Sequence, residues 1–178
     1  MRRRTLVPLV VVCLGVAAVL GYGLTHQNDA KSGFSGINPS FHRYAAPALP
    51  DRTLQDRPFS LQALRGKPVV VNFWGSWCPP CRKEVPQLVQ VADRYAGRVS
   101  FVGVDVGDST KKALKFARSH GVRYPLVPDP SYEHAVDWRA GGTPWTFIVN
   151  KQGEVVDQLF GQTTAAALEK KLDDLLSA

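Results

Sequence analysis

The chain has 178 residues, of which 44% are hydrophobic and 21% charged, so it can form one domain with a full core but not two of ordinary size. Its formal net charge of +7 is concentrated near the N-terminus, where residues 1–50 carry five Lys or Arg against one Asp or Glu. Residues 51–178 carry 17 basic and 14 acidic residues, a balance typical of an ordinary solvated surface, which argues against nucleic-acid binding.

A long uncharged segment lies at the start of the chain. Three arginines at positions 2–4 precede twenty residues without a charge, Thr5 to Leu24, and a helix of that length can cross a bilayer. A cleaved signal peptide is the alternative, with residues 20–23 as a weak cleavage site. Flanking arginines stay in the cytoplasm. Residues 1–24 are therefore predicted to be a signal-anchor of a single-pass bacterial membrane protein whose remaining residues lie on the extracytoplasmic side.

The residues after this segment differ in composition. Residues 25–45 show no sustained apolar period and are rich in polar residues, Gly and Ser, which is typical of a linker. We therefore expect a flexible tether over residues 25–45 and a single domain over residues 46–178.

The first strand and helix predicted in the domain enclose a pair of cysteines. Pro68–Trp74 is a short apolar run rich in β-branched and aromatic residues, as expected of a strand buried on both faces. From about residue 80 to residue 95, apolar side chains recur at helical spacing. Cys78 and Cys81 therefore lie where a strand turns into a helix.

A second strand and helix follow. Residues 99–106, "VSFVGVDV", form another apolar run of strand length. Asp108 and Ser109 then offer an N-cap, and Gly121 offers a terminator. The sequence thus predicts a helix that runs to about residue 120.

The C-terminal third of the domain predicts a hairpin and a last helix. Two apolar runs, residues 145–150 and 154–160, flank a turn that contains Gly153. Residues 164–176 have the period of a helix with one apolar stripe. That stripe consists of Leu168, Leu172, Leu175 and Leu176. The order of elements predicts an α/β sandwich with a mixed sheet.

The spacing of the cysteines admits three kinds of site. A zinc site needs four ligands, and the distant histidines lack the usual spacing of a second pair. A structural disulfide would close so short a loop that it would remove little unfolded-state entropy. A redox dithiol also explains the position, since a helix N-terminus stabilises a thiolate on Cys78 and Cys81 lies one turn further on. Pro79 and Pro80 suit the first helical turn, where no N–H is needed.

Two stretches of the chain carry a family resemblance. "VVVNFWGSWCPPCRKEVP" and the downstream "GGTPWTFIVNKQGEVV" resemble the membrane-anchored thioredoxin-like thiol–disulfide oxidoreductases of the TlpA and ResA type, which include reductants of cytochrome c maturation. The resemblance covers residues 46–178 and implies a thioredoxin-like fold with a mixed central sheet flanked by helices.

The resemblance also assigns roles in the site. It implies that Cys78 is the exposed attacking thiol and Cys81 the buried resolving thiol. It further implies a cis peptide between Thr143 and Pro144, next to the disulfide. The substrate would contact the residues around these two segments, namely Trp77, Pro79, Pro80, Thr143 and Pro144.

Two positions set this sequence apart from ordinary thioredoxins. Those proteins have a buried aspartate in the strand before the active site, where this chain has Asn72. The resemblance implies that Glu84 supplies the displaced acid. A carboxylate there would raise the pKa of the nearby thiols and relay a proton from Cys81. The alternative is that Glu84 is a first-turn acid that complements the helix dipole.

Several aromatic residues lie close to these motifs in the sequence. Trp138, Arg139 and Trp145 flank the predicted rim of the site, and core packing is the alternative for each aromatic ring. Trp74 is expected in the core, and Trp77 is expected to cover the disulfide while partly exposed.

The sequence therefore predicts an extracytoplasmic enzyme that reduces disulfides with the Cys78–Cys81 pair and uses no other cofactor and no metal. Its partners would be protein substrates with disulfides or thiols, including apocytochrome c, and a membrane electron donor, and we expect a monomer. A disulfide-forming oxidase and a thioredoxin-like copper chaperone remain as alternatives. A peroxidase is disfavoured because the P-x-x-x-[ST]-x-x-C pattern is absent around Cys78.

Overall fold

The computed structural model of the protein describes residues 41–177. The predicted anchor over residues 1–24 and the tether as far as residue 40 lie outside the described residues. Within residues 41–177, no helix combines the length and apolar character needed to span a membrane.

A six-stranded mixed sheet forms the centre of the domain, as the sequence predicts. Its strands are β1 (Tyr44–Ala45), β2 (Val69–Trp74), β3 (Ser100–Val106), β4 (Leu126–Asp129), β5 (Trp145–Val149) and β6 (Glu154–Phe160). Their order across the sheet is β1-β6-β5-β2-β3-β4. Strands β2, β3 and β4 run parallel to one another, and β5 pairs antiparallel with both β2 and β6. The strand that leads to the cysteines is therefore central.

Within residues 41–177, four α-helices and a short 3₁₀ helix (Gln62–Leu64) accompany the sheet. The α-helices are named in chain order. They are α1 (Pro79–Arg94), α2 (Thr110–Ser119), α3 (Glu133–Asp137) and α4 (Ala165–Ser177). Helix α2 begins and ends as predicted, with Ser109 at its N-cap and Gly121 just beyond its last turn at a φ of 70°. Helix α1 carries the second cysteine and continues through Pro86.

The core lies on both faces of the sheet because alternate residues of a strand point to opposite faces. On one face, β2 contributes Val69, Val71 and Phe73 to a cluster that also holds Trp138 and Phe147. On the other face, Val70 packs with residues of α1, β5 and α4, which include Leu88, Val91, Ile148, Leu168 and Leu172. A third cluster surrounds the cysteines and is formed mainly with α2. Both cysteines are therefore packed against buried hydrophobic side chains.

The structure differs from the sequence analysis in three respects. The tether predicted over residues 25–45 ends too late, because Tyr44–Ala45 pairs with β6 as β1; a strand of two residues has no period to detect. Strand β4 and helix α3 were not predicted, since each is short and neither has a clear apolar period. Leu176 is exposed and does not continue the buried stripe of α4.

Candidate active site

Cys78 and Cys81 form a disulfide at the start of α1. Both residues are covered, with exposures of 1% and 0%. The expectation of an exposed Cys78 is therefore wrong for the oxidised form. Cys78 packs with Trp74, Val85 and Leu126 in the cluster below it, and its Sγ lies 3.6 Å from the carbonyl oxygen of Thr143.

The residues between the cysteines explain how α1 begins. Cys78 is the N-cap, with an extended backbone, and Pro79 and Pro80 occupy the first two helical positions. Proline has no N–H, so the first amide donor of the helix belongs to Cys81. That amide donates to Cys78 Sγ at 3.2 Å. The two prolines thus leave one helical amide facing this sulfur, where a helix without prolines would have more.

The segment before β5 lies beside the disulfide. The peptide between Thr143 and Pro144 is cis, as the resemblance implies. The Pro144 carbonyl accepts a hydrogen bond from the Gly161 N–H at 3.0 Å, which ties this segment to the end of β6. Pro144 is buried, Thr143 and Pro80 are half-buried, and Pro79 is exposed. The structure thus brings the predicted substrate-binding residues together around the disulfide.

Trp77 and two cations lie on the outside of the cysteine loop. The Trp77 side chain is 49% exposed, and its indole Nε1 donates to the Val106 carbonyl at 2.9 Å. Arg82 Nε donates to the Ser76 carbonyl at 2.9 Å. Arg82 and Lys83 are both exposed, so solvent and salt screen their charges from the sulfur atoms.

Glu84 lies in the interior, one helical turn beyond Cys81. Its exposure is 0%, and residues three apart on a helix lie on the same side. Glu84 Oε1 accepts hydrogen bonds from Thr146 Oγ1 at 3.3 Å and from the Thr163 N–H at 3.4 Å. The first turn of α1 contains no acid, so the alternative that Glu84 complements the helix dipole from the first turn is wrong.

Asn72 takes part in the same buried network. Its Nδ2 donates to Thr146 Oγ1 at 3.0 Å, and among the described residues Asn72 Oδ1 and Glu84 Oε2 have no hydrogen-bond partner. Burial raises the pKa of Glu84 to about 7, and the hydrogen bonds that Thr163 and Thr146 donate to the carboxylate oppose this rise. Burial and the charge of Glu84 also raise the pKa of Tyr124. Glu84 can therefore gain or lose a proton near neutral pH.

The pKa of Glu84 leads to a prediction about stability. The unfolded carboxyl ionises near 4.5, whereas the folded one stays protonated to about 7. Between these values the unfolded state binds fewer protons, so stability falls as pH rises. With about 1.4 kcal/mol per pKa unit, the wild type should lose about 3 kcal/mol of unfolding free energy relative to Glu84→Gln between pH 4.5 and pH 7. Urea unfolding of the oxidised domain at both pH values measures this difference.

A matched variant controls for the loss of one negative charge. Glu133 is an exposed acid in α3, and Glu133→Gln should leave the pH dependence of the wild type in place. Equal slopes for the wild type and Glu84→Gln would mean that the Glu84 carboxyl has the same pKa in the folded and unfolded states, which would contradict the prediction.

The residues that flank the predicted rim have three different surroundings. Trp138 is buried against Phe73 and Phe147, so the core alternative is correct for this ring. The Arg139 guanidinium lies over the Tyr44 ring at 5.0 Å. Trp145 is half-buried and contacts Phe160, with ring centroids 4.8 Å apart. Trp74, in contrast, lies in the core as predicted.

The sequence analysis did not predict the roles of three polar residues near the site. Thr146 and Thr163 bind Glu84, yet a threonine in a strand or loop gives no signal of such a role. Asp108 had been considered only as a helix cap, but its carboxylate accepts hydrogen bonds from Ser76 N–H and Oγ at 2.5 and 2.8 Å. Within residues 41–177, no group of three or more His, Cys, Asp or Glu side chains is placed to hold a metal ion.

Comparisons with known proteins agree with this geometry. Residues 43–158 match the AhpC/TSA family. The chain is 34% identical over 173 residues to the thiol:disulfide interchange protein HelX of Rhodobacter capsulatus, covering 96% of this chain and 93% of that protein. It is 31% identical over 166 residues to the thiol-disulfide oxidoreductase ResA of Bacillus subtilis, covering 93% and 87%.

A solved structure shares the fold as well. The crystal structure of a DsbF homologue from Corynebacterium diphtheriae superposes with a TM-score of 0.72 at 28% sequence identity, covering 82% of this chain and 95% of the other. The likeness in sequence and in structure therefore extends over the whole domain that carries the disulfide.

Proposed function

Because the chain belongs to the AhpC/TSA family and is a thiol-disulfide oxidoreductase of the ResA and DsbE type, we propose that it works as a reductant of protein disulfides outside the cytoplasm. In each turnover the Cys78 thiolate attacks a substrate disulfide and releases one substrate thiol. Cys81 then attacks Cys78 Sγ and releases the second. Two electrons and two protons pass to the substrate, and Cys78 and Cys81 end as the disulfide.

One observation carries the proposed direction. Among the described residues, one helical amide, that of Cys81, donates to Cys78 Sγ. A strongly oxidising protein of this fold owes its potential to a heavily stabilised thiolate, which makes the reduced form the preferred one. With two amide donors replaced by Pro79 and Pro80, the Cys78 thiolate is less stabilised. The disulfide form of the Cys78–Cys81 pair is then favoured over the dithiol form. A protein with this preference donates electrons to its substrates.

Glu84 supports the same direction and supplies a proton acceptor. Its carboxyl is buried on the side of α1 that carries Cys81, and a negative charge there disfavours a thiolate nearby. When Cys81 attacks Cys78, its thiol must lose a proton. A carboxyl with a pKa of about 7 is matched to accept that proton at neutral pH. We therefore assign Glu84 as the proton relay.

The surface next to the disulfide suits an extended polypeptide. Thr143 precedes the cis bond, and its carbonyl faces Cys78 Sγ. The exposed Trp77 lies in the cysteine loop, and Phe160 is 73% exposed where it contacts Trp145. The exposed Trp77 ring, next to Cys78 in the chain, favours a substrate that presents apolar residues near its cysteine. We propose apocytochrome c as one such substrate, on the resemblance given by the cysteine motif.

Mixing the reduced domain with an oxidised peptide tests the function. The peptide should carry one Cys-x-x-Cys-His motif closed by a disulfide, the sequence to which c-type haem attaches. We expect the peptide to become reduced while the domain acquires its disulfide, as measured by alkylation of free thiols after acid quench. If the peptide stays oxidised, and a reduced peptide instead becomes oxidised by the disulfide form of the domain, the protein is a disulfide-forming oxidase.

We also propose that residues 1–24 anchor the protein and that a membrane protein supplies its electrons. The support is the charge pattern of the first 24 residues, with arginines before an uncharged apolar run. Protease added to intact spheroplasts should digest the domain or release it by cutting the tether. A domain that is protected until the membrane is broken would place it in the cytoplasm.

A further inference from the structure

Several exposed apolar side chains lie beside the cysteine loop. Among residues 41–177, large hydrophobic side chains are exposed at five positions, which are Trp77, Tyr132, Val136, Phe160 and Leu176. A single exposed apolar residue is ordinary on a soluble domain, whereas several on one surface mark a site of interaction. Tyr132 is about as exposed as Trp77, at 47%, and Val136 is 72% exposed.

Trp77 and Tyr132 are both bound to the end of β3. The Trp77 indole donates to the Val106 carbonyl at 2.9 Å. The Asp129 carbonyl accepts from the N–H groups of Gly107 and Tyr132, at 3.2 and 3.4 Å, so the backbones of these two residues lie side by side. The two exposed rings are therefore held against neighbouring residues of the chain, 106 and 107.

Two glycines leave the space that these rings occupy. A Cβ atom at Gly107 would lie 2.5 Å from the hydroxyl oxygen of Tyr132. A Cβ atom at Gly75 would lie 2.5 Å from Nε1 of Trp77. Both distances are well below an ordinary contact between nonbonded atoms. Gly107 also has a φ of 70°, which disfavours other residues. The positions of both rings therefore depend on glycine in the backbone beneath them.

Tyr132 is held in an unfavourable backbone conformation. Its φ is 64°, in the left-handed region that is costly for a large residue with a Cβ atom. Tyr132 is also the N-cap of α3, and its carbonyl accepts from the Val136 N–H at 3.0 Å. The fold thus keeps an exposed tyrosine beside the cysteine loop at a cost in backbone energy, with exposed Val136 one helical turn away.

The surroundings of these side chains suit a polypeptide substrate. Trp77 directly precedes Cys78 in the chain, so the surface is continuous with the loop that carries the disulfide. Two exposed acids of α3, Glu133 and Asp137, lie next to Val136, and an apolar centre with a polar rim is usual for protein recognition. A stable interface between folded proteins uses about 20–30 residues on each side. Three apolar side chains therefore fit a short segment of a substrate better than a second folded copy.

We propose that Trp77, Tyr132 and Val136 form one apolar surface that selects substrates, by binding the apolar side chains that flank the cysteines of a polypeptide. Cys78 then exchanges with a substrate sulfur that is held beside it. Binding removes apolar area from water on both partners, which favours such a substrate over one with polar flanks. This role rests on the proposed function only in that the partner is a protein thiol or disulfide, and it holds for reduction and oxidation alike.

Two disulfide peptides test this selection. Both carry the Cys-x-x-Cys-His motif, one with leucines and the other with serines at the positions that flank the motif. The reduced wild-type protein should reduce the leucine peptide with a kcat/KM about 10-fold higher, and this ratio should fall below about 3-fold in Tyr132→Asn and in Val136→Ser. The ratio is the readout because a changed reduction potential alters both rates alike. Asparagine tolerates a positive φ, so Tyr132→Asn should keep the fold.

Leu176→Ser is the matched control, because Leu176 is exposed in α4 and outside this surface; it should keep the wild-type ratio. The disulfide form of the protein, mixed with the reduced peptides, should also favour leucine, so an error in the direction of electron flow would leave this result intact. A wild-type ratio near one, or a ratio that survives in either variant, would overturn the proposal. A wild-type dimer that Val136→Ser converts into a monomer would overturn it as well, because the surface would then join two copies of the chain.

Discussion

Replacing Cys81 with serine is expected to convert the protein into a trap that stays covalently bound to its substrates. Cys78 still attacks a substrate disulfide, but no second thiol is present to release the mixed disulfide. Turnover should fall by at least about a thousandfold, the scale seen when a nucleophile is removed. Non-reducing electrophoresis followed by mass spectrometry of the linked peptides should show adducts through Cys78.

The matched variant is Cys78→Ser, which should form no adducts and have no turnover. The assignment rests on the place of Cys78 at the helix start, where its Sγ faces Thr143, whereas Cys81 lies inside the first turn. Adducts in Cys78→Ser that are missing in Cys81→Ser would reverse the roles of the two cysteines.

Truncating Trp138 is expected to have the largest effect on stability. The ring is fully buried between Phe73 and Phe147, and its Nε1 donates to the Ala48 carbonyl at 3.2 Å. Trp138→Ala should lower the free energy of unfolding by about 3–5 kcal/mol through lost packing and a cavity. Denaturant unfolding of the oxidised domain, followed by circular dichroism, measures the change.

Two variants separate packing from a role in the site. Trp138→Phe keeps an aromatic ring but leaves the Ala48 carbonyl without its hydrogen-bond donor. This change should lower the free energy of unfolding by about 1–3 kcal/mol. Trp77→Ala removes the same ring from a half-exposed position. It should therefore lower the free energy of unfolding less than Trp138→Ala does. A small stability loss in Trp138→Ala together with a large drop in exchange rate would place Trp138 at the substrate rim after all.

The cysteine loop could be predicted from the sequence because its signals are local. An apolar strand before the motif and a helical period after it place Cys78 at a strand-to-helix turn. Two prolines mark the first turn of that helix, where proline is tolerated. The structure confirms the predicted positions of β2 and α1, whose ends differ from the predicted ones by one residue at most.

What the sequence missed depends on contacts between distant residues. Trp138 is core rather than rim because α3 brings it below β2 and β5, and α3 is only five residues long. Glu84 meets Thr146 and Thr163 across 62 and 79 residues of chain. Asp108 reaches Ser76 across 32 residues. No period or cap signal in a single sequence reports such pairs.

The burial of Cys78 also depends on a contact between distant residues that the sequence does not predict. The family resemblance implies that Cys78 is the exposed attacking thiol. In the folded domain the segment before β5 covers the sulfur with the Thr143 carbonyl. Access to Cys78 therefore depends on a segment that follows it by more than sixty residues.

The reduction potential of the Cys78–Cys81 pair tests the central claim most directly. The purified domain would be equilibrated with glutathione buffers of known ratio, and its redox state read by alkylation of the free thiols. One amide donor at Cys78 and a buried acid one helical turn beyond Cys81 predict a potential nearer the thioredoxin value of about −270 mV than the oxidase value of about −120 mV. A potential above about −180 mV, in the range of isomerases and oxidases, would contradict the assignment of this protein as a reductant.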